Sequence, residues 1–120
     1  MAKILIVEDS PAQTVLAQMA LETAGYTVVT AINGYKGVLS ARLEIPDLIL
    51  MDLNMPEMNG LEAVRLLKND EWTQGIPIIA VSVEAFTVSH DELESAGCEG
   101  FVAKPYSVQG LVGQVARTLA

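Results

Sequence analysis

Residues 47–52 read Asp-Leu-Ile-Leu-Met-Asp, an apolar run that follows Pro46 and ends on the carboxylate of Asp52. Comparable runs recur four more times, at 3–8, 26–31, 76–82 and 99–103. Near-continuous apolar runs of this length are typical of strands that are covered on both faces of a parallel sheet. Stretches with helical periodicity alternate with them, at 11–24, 35–44, 60–70, 86–96 and 107–119. The alternation predicts an α/β domain with a five-stranded parallel sheet and five helices.

Size and composition fit a single domain that covers residues 1–120. The chain is 51% hydrophobic, enough to build a core of its own, which excludes intrinsic disorder. No apolar run approaches the roughly 18–20 residues that span a bilayer. Met1-Ala2-Lys3 leads into a strand-like run without the features of a signal peptide. Because the single Cys98 has no internal disulfide partner, these features together predict a cytoplasmic protein without a membrane segment.

The charge balance is strongly acidic, with fifteen Asp and Glu against seven Lys and Arg and a formal net charge of −8. Direct nucleic-acid binding requires a basic stripe. The basic residues are instead scattered, at Lys3, Lys36, Arg42, Arg65, Lys68, Lys104 and Arg117. The sequence therefore predicts no direct contact with nucleic acid, and its acidity favours basic partner surfaces or cations.

The first and last predicted helices have clear capping residues or apolar stripes. Ser10 is a good N-cap, Pro11 suits the first helical position, and Gly25 is a natural terminator. The inward face predicted for the first helix comprises Leu16, Met19, Ala20 and Leu21. The apolar stripe predicted for the last helix comprises Val108, Leu111, Val112, Val115 and Leu119.

Reactive side chains follow four of the predicted strands, at the point where each strand ends. They are Glu8-Asp9, Asp52, Ser82 and Lys104-Pro105. In an open parallel sheet, ligands bind outside the carboxyl ends of the strands, near the point where strand order reverses. These residues are therefore expected to meet in one cleft. Three carboxylates, one hydroxyl and one ammonium group are components for metal-assisted phosphoryl transfer.

The expected cluster of carboxylates needs compensating cations. Two unit charges about 4 Å apart repel by roughly 4 kcal/mol at an effective dielectric constant near 20. Lys104 offers one positive charge, and Mg²⁺ suits a small site with oxygen ligands. An ionised aspartate is a competent nucleophile toward phosphorus. This assigns the attack to Asp52, the metal to Glu8 and Asp9, and the phosphoryl oxygens to Ser82 and Lys104.

Four fragments, in order and spacing, resemble the receiver domain of two-component response regulators over the whole chain. They are Ile-Leu-Ile-Val-Glu-Asp-Ser at 4–10, Pro-Asp-Leu-Ile-Leu-Met-Asp-Leu-Asn-Met-Pro-Glu-Met-Asn-Gly at 46–60, Ile-Pro-Ile-Ile-Ala-Val-Ser at 76–82 and Phe-Val-Ala-Lys-Pro at 101–105. The resemblance implies a flavodoxin-like, doubly wound fold with strand order 2-1-3-4-5. It also implies that a histidine kinase or a histidine phosphotransfer protein donates the phosphoryl group, which then shifts an inactive-to-active equilibrium.

The resemblance also implies a role for individual residues around the metal. Asp52 matches the phosphorylated aspartate, and Glu8 and Asp9 match the acidic pair that binds Mg²⁺ together with it. Asn54 matches the position whose backbone carbonyl completes the protein ligands.

Further positions match the switch of the same family. Ser82 matches the switch hydroxyl, Phe101 the switch aromatic and Lys104 the lysine that contacts the phosphoryl group. The bond between Lys104 and Pro105 matches one that is usually cis in the family.

The chain departs from the family pattern at the position after the switch hydroxyl. Val83 stands where the family usually has a small residue, and a β-branched side chain is expected to narrow the approach to the phosphoryl group. Slow hydrolysis and poor reaction with small phosphodonors are therefore predicted. Glu84 and Asn54 also occupy positions at which the family tunes the rate of hydrolysis. The sequence does not indicate whether these residues raise or lower that rate.

Three other functions compete with the phosphorylation switch. A haloacid-dehalogenase-like phosphatase should have a general acid two residues after the nucleophile, where Asn54 stands, and its nucleophile should end the first strand. A flavodoxin-like cofactor carrier would suffer repulsion between the flavin phosphate and Glu8-Asp9. A scaffold that keeps the receiver fold without phosphorylation is the remaining alternative.

The partner surface is also predicted from the resemblance. A chain that stops after its fifth helix resembles the single-domain regulators of the chemotaxis or cell-cycle type, which act by binding a partner protein. Their usual signalling face lies on the fourth helix, fifth strand and fifth helix, and homodimers are possible. Here that face would include Glu92, Glu94, Glu99, Tyr106 and Gln109.

Overall fold

A computed structural model describes residues 1–56, 58–83 and 89–120. For residue 90 it describes the backbone but not the side chain. The five strands are β1 Lys3–Val7, β2 Thr27–Ala31, β3 Leu48–Asp52, β4 Ile78–Val83 and β5 Gly100–Lys104. The helices are α1 Pro11–Thr23, α2 Gly34–Glu44, α3 Gly60–Lys68, α4 His90–Ala96 and α5 Val108–Leu119. The predicted alternation is confirmed. Part of the predicted fourth helix, 86–88, lies outside the described residues.

The sheet is fully parallel and has the order β2-β1-β3-β4-β5, as predicted. Strand β1 pairs with β2 on one side and with β3 on the other, so the chain reverses direction across the sheet at β1. The register aligns Val7 with Met51, which brings the residues after β1 beside the end of β3. A crevice therefore forms at the carboxyl ends of β1 and β3.

Two separate hydrophobic cores cover the two faces of the sheet. On one face, side chains of α1 and α5 such as Leu21 and Val115 pack on Ile4, Ile6 and neighbouring strand residues. On the other face, α2, α3 and α4 pack on alternate strand residues such as Leu5 and Ile49. Because both faces are covered, the strands read as continuous apolar runs rather than as alternating ones.

Two of the predicted inward faces are partly wrong. In α1 the side chains that reach the core are Ala17 and Leu21, whereas Leu16 and Met19 are exposed. In α5, Leu111 and Val115 are buried but Val108 is exposed. Periodicity identifies an apolar stripe, but the part of the stripe that meets the sheet depends on how the helix is rotated against it.

Side-chain caps fix the start of each helix near the crevice. Ser10 accepts a hydrogen bond from the backbone N–H of Gln13, and Pro11 follows it as predicted. Asn59 accepts from the N–H of Glu62 and so sets the start of α3. Such caps typically contribute about 1 kcal/mol each. Within the ranges described, no helix is long and apolar enough to span a bilayer.

Candidate functional site

Three carboxylates converge at the crevice. Glu8, Asp9 and Asp52 each offer an oxygen atom, and these oxygens lie within 4.8 Å of one another. Glu8 and Asp52 are buried, whereas Asp9 is exposed to solvent. Oxygen ligands of one octahedral Mg²⁺, each about 2.0–2.1 Å from the ion, lie roughly 3–4 Å apart. A small rearrangement would bring these oxygens to that spacing, so the residues present fit a magnesium ion.

The partly buried ammonium group of Lys104 lies against the same carboxylates. Its Nζ donates to Oε1 of Glu8 at 2.9 Å and lies 3.5 Å from Oδ1 of Asp52. Burial alone would lower the pKa of Lys104, but the hydrogen bond to Glu8 and the charge of Asp52 outweigh it and raise that pKa. Lys104 is therefore a permanent positive charge at the cleft.

One ammonium group does not fully compensate the cluster. Burial, followed by the interaction with Asp52, raises the pKa of Glu8 to about 7, even though Lys104 acts in the opposite direction. The carboxylates are therefore held at an energetic cost that a bound divalent cation would relieve. This agrees with the charge argument made from the sequence.

Asn54 connects the end of β3 to the end of β4. Its backbone N–H donates to Oδ1 of Asp52 at 2.9 Å. Its side-chain Oδ1 accepts from the hydroxyl of Ser82 at 2.9 Å and from the backbone N–H of Val83 at 3.1 Å. The sequence assigned the backbone carbonyl of Asn54 to the metal and its position to the tuning of hydrolysis, but it predicted no contact of its side chain with β4. A short amide side chain two residues after the central aspartate was the available signal, but its partners lie on another strand.

The strand register places the remaining predicted residues at different depths. Ser82 pairs with Ala103 and Val83 with Lys104, so these four residues surround the mouth of the cleft. Phe101 is half-buried, pairs with Ala80, and packs against the core on the α2–α4 face. It therefore lies two residues further from the cleft than Ala103 does.

Three further points complete the placement of the predicted residues. The peptide bond between Lys104 and Pro105 is cis. The side chain of Val83 is 43% exposed beside the cleft. Glu84 lies outside the described residues.

A family model described as the response regulator receiver domain matches residues 4–116. The chain belongs to this family. Receiver domains are the phosphorylation-dependent switches of two-component signalling, and the family is one of signalling receivers rather than classical enzymes.

Curated relatives agree with this assignment. The polar-differentiation response regulator DivK of Brucella anthropi is 38% identical over 105 residues, which cover 88% of this chain and 85% of that protein. DivK of Brucella ovis is equally similar, with the same identity and the same coverage. This receiver domain therefore spans most of the length of proteins that are named as response regulators.

Solved structures share the fold over nearly the whole chain. The chemotaxis protein CheY4 of Vibrio cholerae has a TM-score of 0.92 and 30% identity, with 98% of each chain covered. The receiver domain of the sensor histidine kinase PA1611 of Pseudomonas aeruginosa has a TM-score of 0.89 and 30% identity, covering 98% of this chain and 97% of that one. That receiver domain was crystallised with a magnesium ion coordinated in its active-site cleft.

Proposed function

We propose that Asp52 accepts a phosphoryl group from a phosphohistidine of a histidine kinase or phosphotransfer protein. Magnesium would be held by carboxylate oxygens of Glu8, Asp9 and Asp52 and by the backbone carbonyl of Asn54. The observation that carries this proposal is the convergence of three carboxylates within 4.8 Å beside a partly buried lysine. A receiver domain used as a scaffold would have no need of this costly arrangement.

The chemistry follows from the positions of the side chains. A carboxylate oxygen of Asp52 forms a bond to phosphorus while the phosphorus–nitrogen bond to the donor imidazole breaks. The imidazole leaves with the electron pair of that bond. Lys104 neutralises charge on the transferring oxygens, and Mg²⁺ bound at the carboxylates supplies further positive charge there. The chain thus assists its own phosphorylation and later hydrolysis, and turns over no separate substrate.

The switch in this proposal is the hydroxyl of Ser82. In the unphosphorylated chain this hydroxyl donates to Oδ1 of Asn54. To donate to a phosphoryl oxygen on Asp52 instead, it has to leave Asn54. The change would alter the end of β4, and Phe101 on the neighbouring strand is the proposed aromatic that responds to it.

The effector is proposed to bind on α4, β5 and α5. Glu92, Glu94 and Gln109 are exposed on these elements, and Tyr106 is half-buried. Glu99 differs from them, because its carboxylate accepts from the backbone N–H of Ile78 and pairs with Lys68 at 2.9 Å. An acidic face of this kind favours a basic partner surface. A cytoplasmic location, where such partners are found, remains part of the same proposal.

An apolar groove beside the cleft supports the approach of a protein donor. The groove has a volume of about 330 Å³ and is lined by Gln13, Leu16, Val83, Lys104, Pro105, Tyr106 and Val108. Leu16 and Val108 are two of the three side chains that the sequence wrongly placed in the core, the third being Met19. Their exposure next to Lys104 offers a donor protein apolar contact area within reach of Asp52.

Intact-mass measurement after incubation with acetyl phosphate tests the proposal. We expect one phosphoryl adduct that requires Mg²⁺ and is absent in Asp52→Asn, a variant that keeps the shape of the side chain. If no adduct forms, the same measurement is made with a phosphorylated histidine donor. Failure of both donors in the presence of Mg²⁺ would refute the proposal and favour the scaffold function.

The side chain of Val83 is expected to limit small donors. Val83→Ala should accelerate both labelling by acetyl phosphate and hydrolysis of the adduct, on the order of tenfold, because it widens the mouth of the cleft by two methyl groups. Val108→Ala removes the same two methyl groups from the far side of the groove and serves as the matched control. Equal rates for wild type and Val83→Ala, measured by mass spectrometry over time, would contradict the role of Val83.

A further inference from the structure

Helix α2 carries most of its large apolar side chains on the outside, with Val38 half-buried against the core. The residues it buries fully against the core are small, at Gly34, Gly37 and Ala41. Tyr35, Leu39 and Leu43 recur every four residues and therefore form one stripe along the helix. All three are exposed, Leu43 by 73%. This is the reverse of the usual amphipathic pattern, in which large apolar residues face the core.

Trp72, in the connection between α3 and β4, extends this stripe. It is 65% exposed and forms an open groove of about 290 Å³ together with Leu39, Arg42 and Leu43. We call Tyr35, Leu39, Leu43 and Trp72 the α2 patch. Its exposed apolar area is roughly 500 Å², taking about 150–250 Å² for each aromatic side chain. Single exposed apolar residues are ordinary, whereas a patch of this size matches the largest patch on a typical monomer, which is often functional.

The surroundings of the α2 patch are electrically neutral in a strongly acidic chain. Arg42 pairs with Asp70 through an Nε–Oδ2 distance of 3.0 Å. Glu44, next to Leu43, pairs with Lys3 at 3.0 Å. Lys36, in the first turn of α2, and Glu71, next to Trp72, are the remaining charges beside patch residues in the sequence. Positive and negative charges around the patch therefore balance, three against three. This is a surface through which two copies with a net charge of −8 can meet without strong repulsion.

The two ends of the α2 patch are spaced so that they can pair across a twofold axis. Tyr35 lies about 9 Å along the helix from the centre of the groove, which is near residue 41, at a rise of about 1.5 Å per residue. If two α2 helices lie antiparallel across a twofold axis, Tyr35 of each copy reaches the groove of the other. The same arrangement brings Lys36 of one copy toward Glu71 of the second copy.

We infer that two copies of this chain associate through the α2 patch. A standard interface buries about 800 Å² on each partner, and the patch supplies most of that area as apolar surface. The polar residues around it supply the rim. An isologous contact of this kind closes after two copies and so produces a dimer rather than a filament.

The other exposed faces are less suited to self-association. Helix α4 presents Asp91, Glu92 and Glu94, so a symmetric contact there would place like charges opposite one another. The groove that contains Leu16 adjoins Lys104, so a second copy seated there would block access to Asp52. The α2 patch lies on the opposite face of the sheet from α1 and α5. A dimer formed through it would not cover the groove that contains Leu16, and the inference does not depend on phosphorylation.

Size-exclusion chromatography with light scattering tests the inference on the full chain. We expect the wild-type mass to approach twice 12.8 kDa as the concentration rises. Leu43→Glu places a charge within the patch and should raise the dimer dissociation constant at least about tenfold. Leu16→Glu changes a side chain of the same type and similar exposure, 65%, on the other face of the sheet, and should leave the dimer intact. Both replaced side chains are exposed, and circular dichroism verifies that the variants fold.

The only tryptophan of the chain provides a second readout. Dilution of the wild type should shift the emission of Trp72 to longer wavelength as the indole becomes hydrated, whereas Leu43→Glu should show the shifted emission at every concentration. Lys36→Glu should weaken the dimer, and the double exchange Lys36→Glu with Glu71→Lys should restore it. A wild type that is monomeric at all concentrations overturns the inference and assigns the patch to a different protein. A dimer that Leu16→Glu disrupts and Leu43→Glu does not overturns it as well.

Discussion

Replacing Lys104 with Met is expected to lower the free energy of unfolding by about 3–5 kcal/mol at pH 8 in EDTA. The side chains have similar length, but Glu8 and Asp52 lose their buried counter-charge. Without it, the pKa of Glu8, which burial already raises to about 7, rises further in the folded state. A carboxyl whose pKa is raised on folding destabilises the fold at high pH and ceases to do so when it is protonated. The difference in free energy of unfolding between the wild type and the variant should therefore shrink as the pH falls toward 5.

Urea unfolding at pH 5 and pH 8, with EDTA or with Mg²⁺, measures this effect. Magnesium should restore part of the stability of Lys104→Met, because the ion replaces the missing positive charge at the carboxylates. Lys3→Met is the matched control, since it removes a lysine from a partly exposed pair with Glu44. Surface pairs contribute about 1 kcal/mol or less. A loss of stability that is equal in the two variants, or that is independent of pH, would contradict the assigned role of Lys104.

Replacing Gly60 with Ala is expected to destabilise the protein by about 3 kcal/mol. An added Cβ at this first residue of α3 would collide with the carbonyl of Asp52 and lie 2.7 Å from Cα of Leu53. Both neighbours are backbone atoms, so either α3 or the end of β3 has to move. Because the end of β3 carries the phosphoryl acceptor, phosphorylation by acetyl phosphate should slow as well. An ordinary helical Gly-to-Ala change has the opposite sign and stabilises by up to about 1 kcal/mol.

Gly75→Ala provides the control for this substitution. A Cβ at Gly75 meets nothing within 4 Å, and its φ lies outside the positive range that strains other residues. The free energy of unfolding of this variant should stay within about 0.5 kcal/mol of the wild-type value. A slight increase is also expected if the added Cβ makes the unfolded chain less flexible. Thermal and urea unfolding of the two variants side by side measure the difference. A stable, fully active Gly60→Ala protein would mean that the close approach of α3 to β3 is not needed.

Most of the fold could be predicted because the different signals in the sequence, such as apolar runs and helix caps, indicate the same elements. The apolar runs that end at Val7 and Asp52 give strands buried on both faces, and such strands belong to parallel sheets. The ends of helices were harder to predict where a capping side chain sets them. Helix α3 was predicted to reach residue 70 but ends at Lys68, because the side chain of Asn69 donates to the carbonyl of Arg65 and terminates the helix.

The convergence of the site was predictable for the same reason. In a parallel sheet all strands end at one edge, which places Glu8, Asp52 and Lys104 there, and the strand order implied by the family resemblance makes β1 and β3 neighbours. The bond between Ser82 and Asn54 was not predictable in this way. It joins side chains from two strand ends, and its existence depends on the path of each loop and on the rotamer of each side chain.

The sequence alone thus determined the element order, the sheet type and the meeting of the charged strand ends, because these follow from periodicity and from the geometry of parallel strands. Only the tertiary structure decided which helix faces are buried, and it left Leu16, Leu43 and Trp72 at the surface. An apolar side chain favours burial, but it is buried only where a neighbouring surface lies within its reach. That neighbour is set by the rotation of each helix on the sheet, which is a property of the whole packed chain.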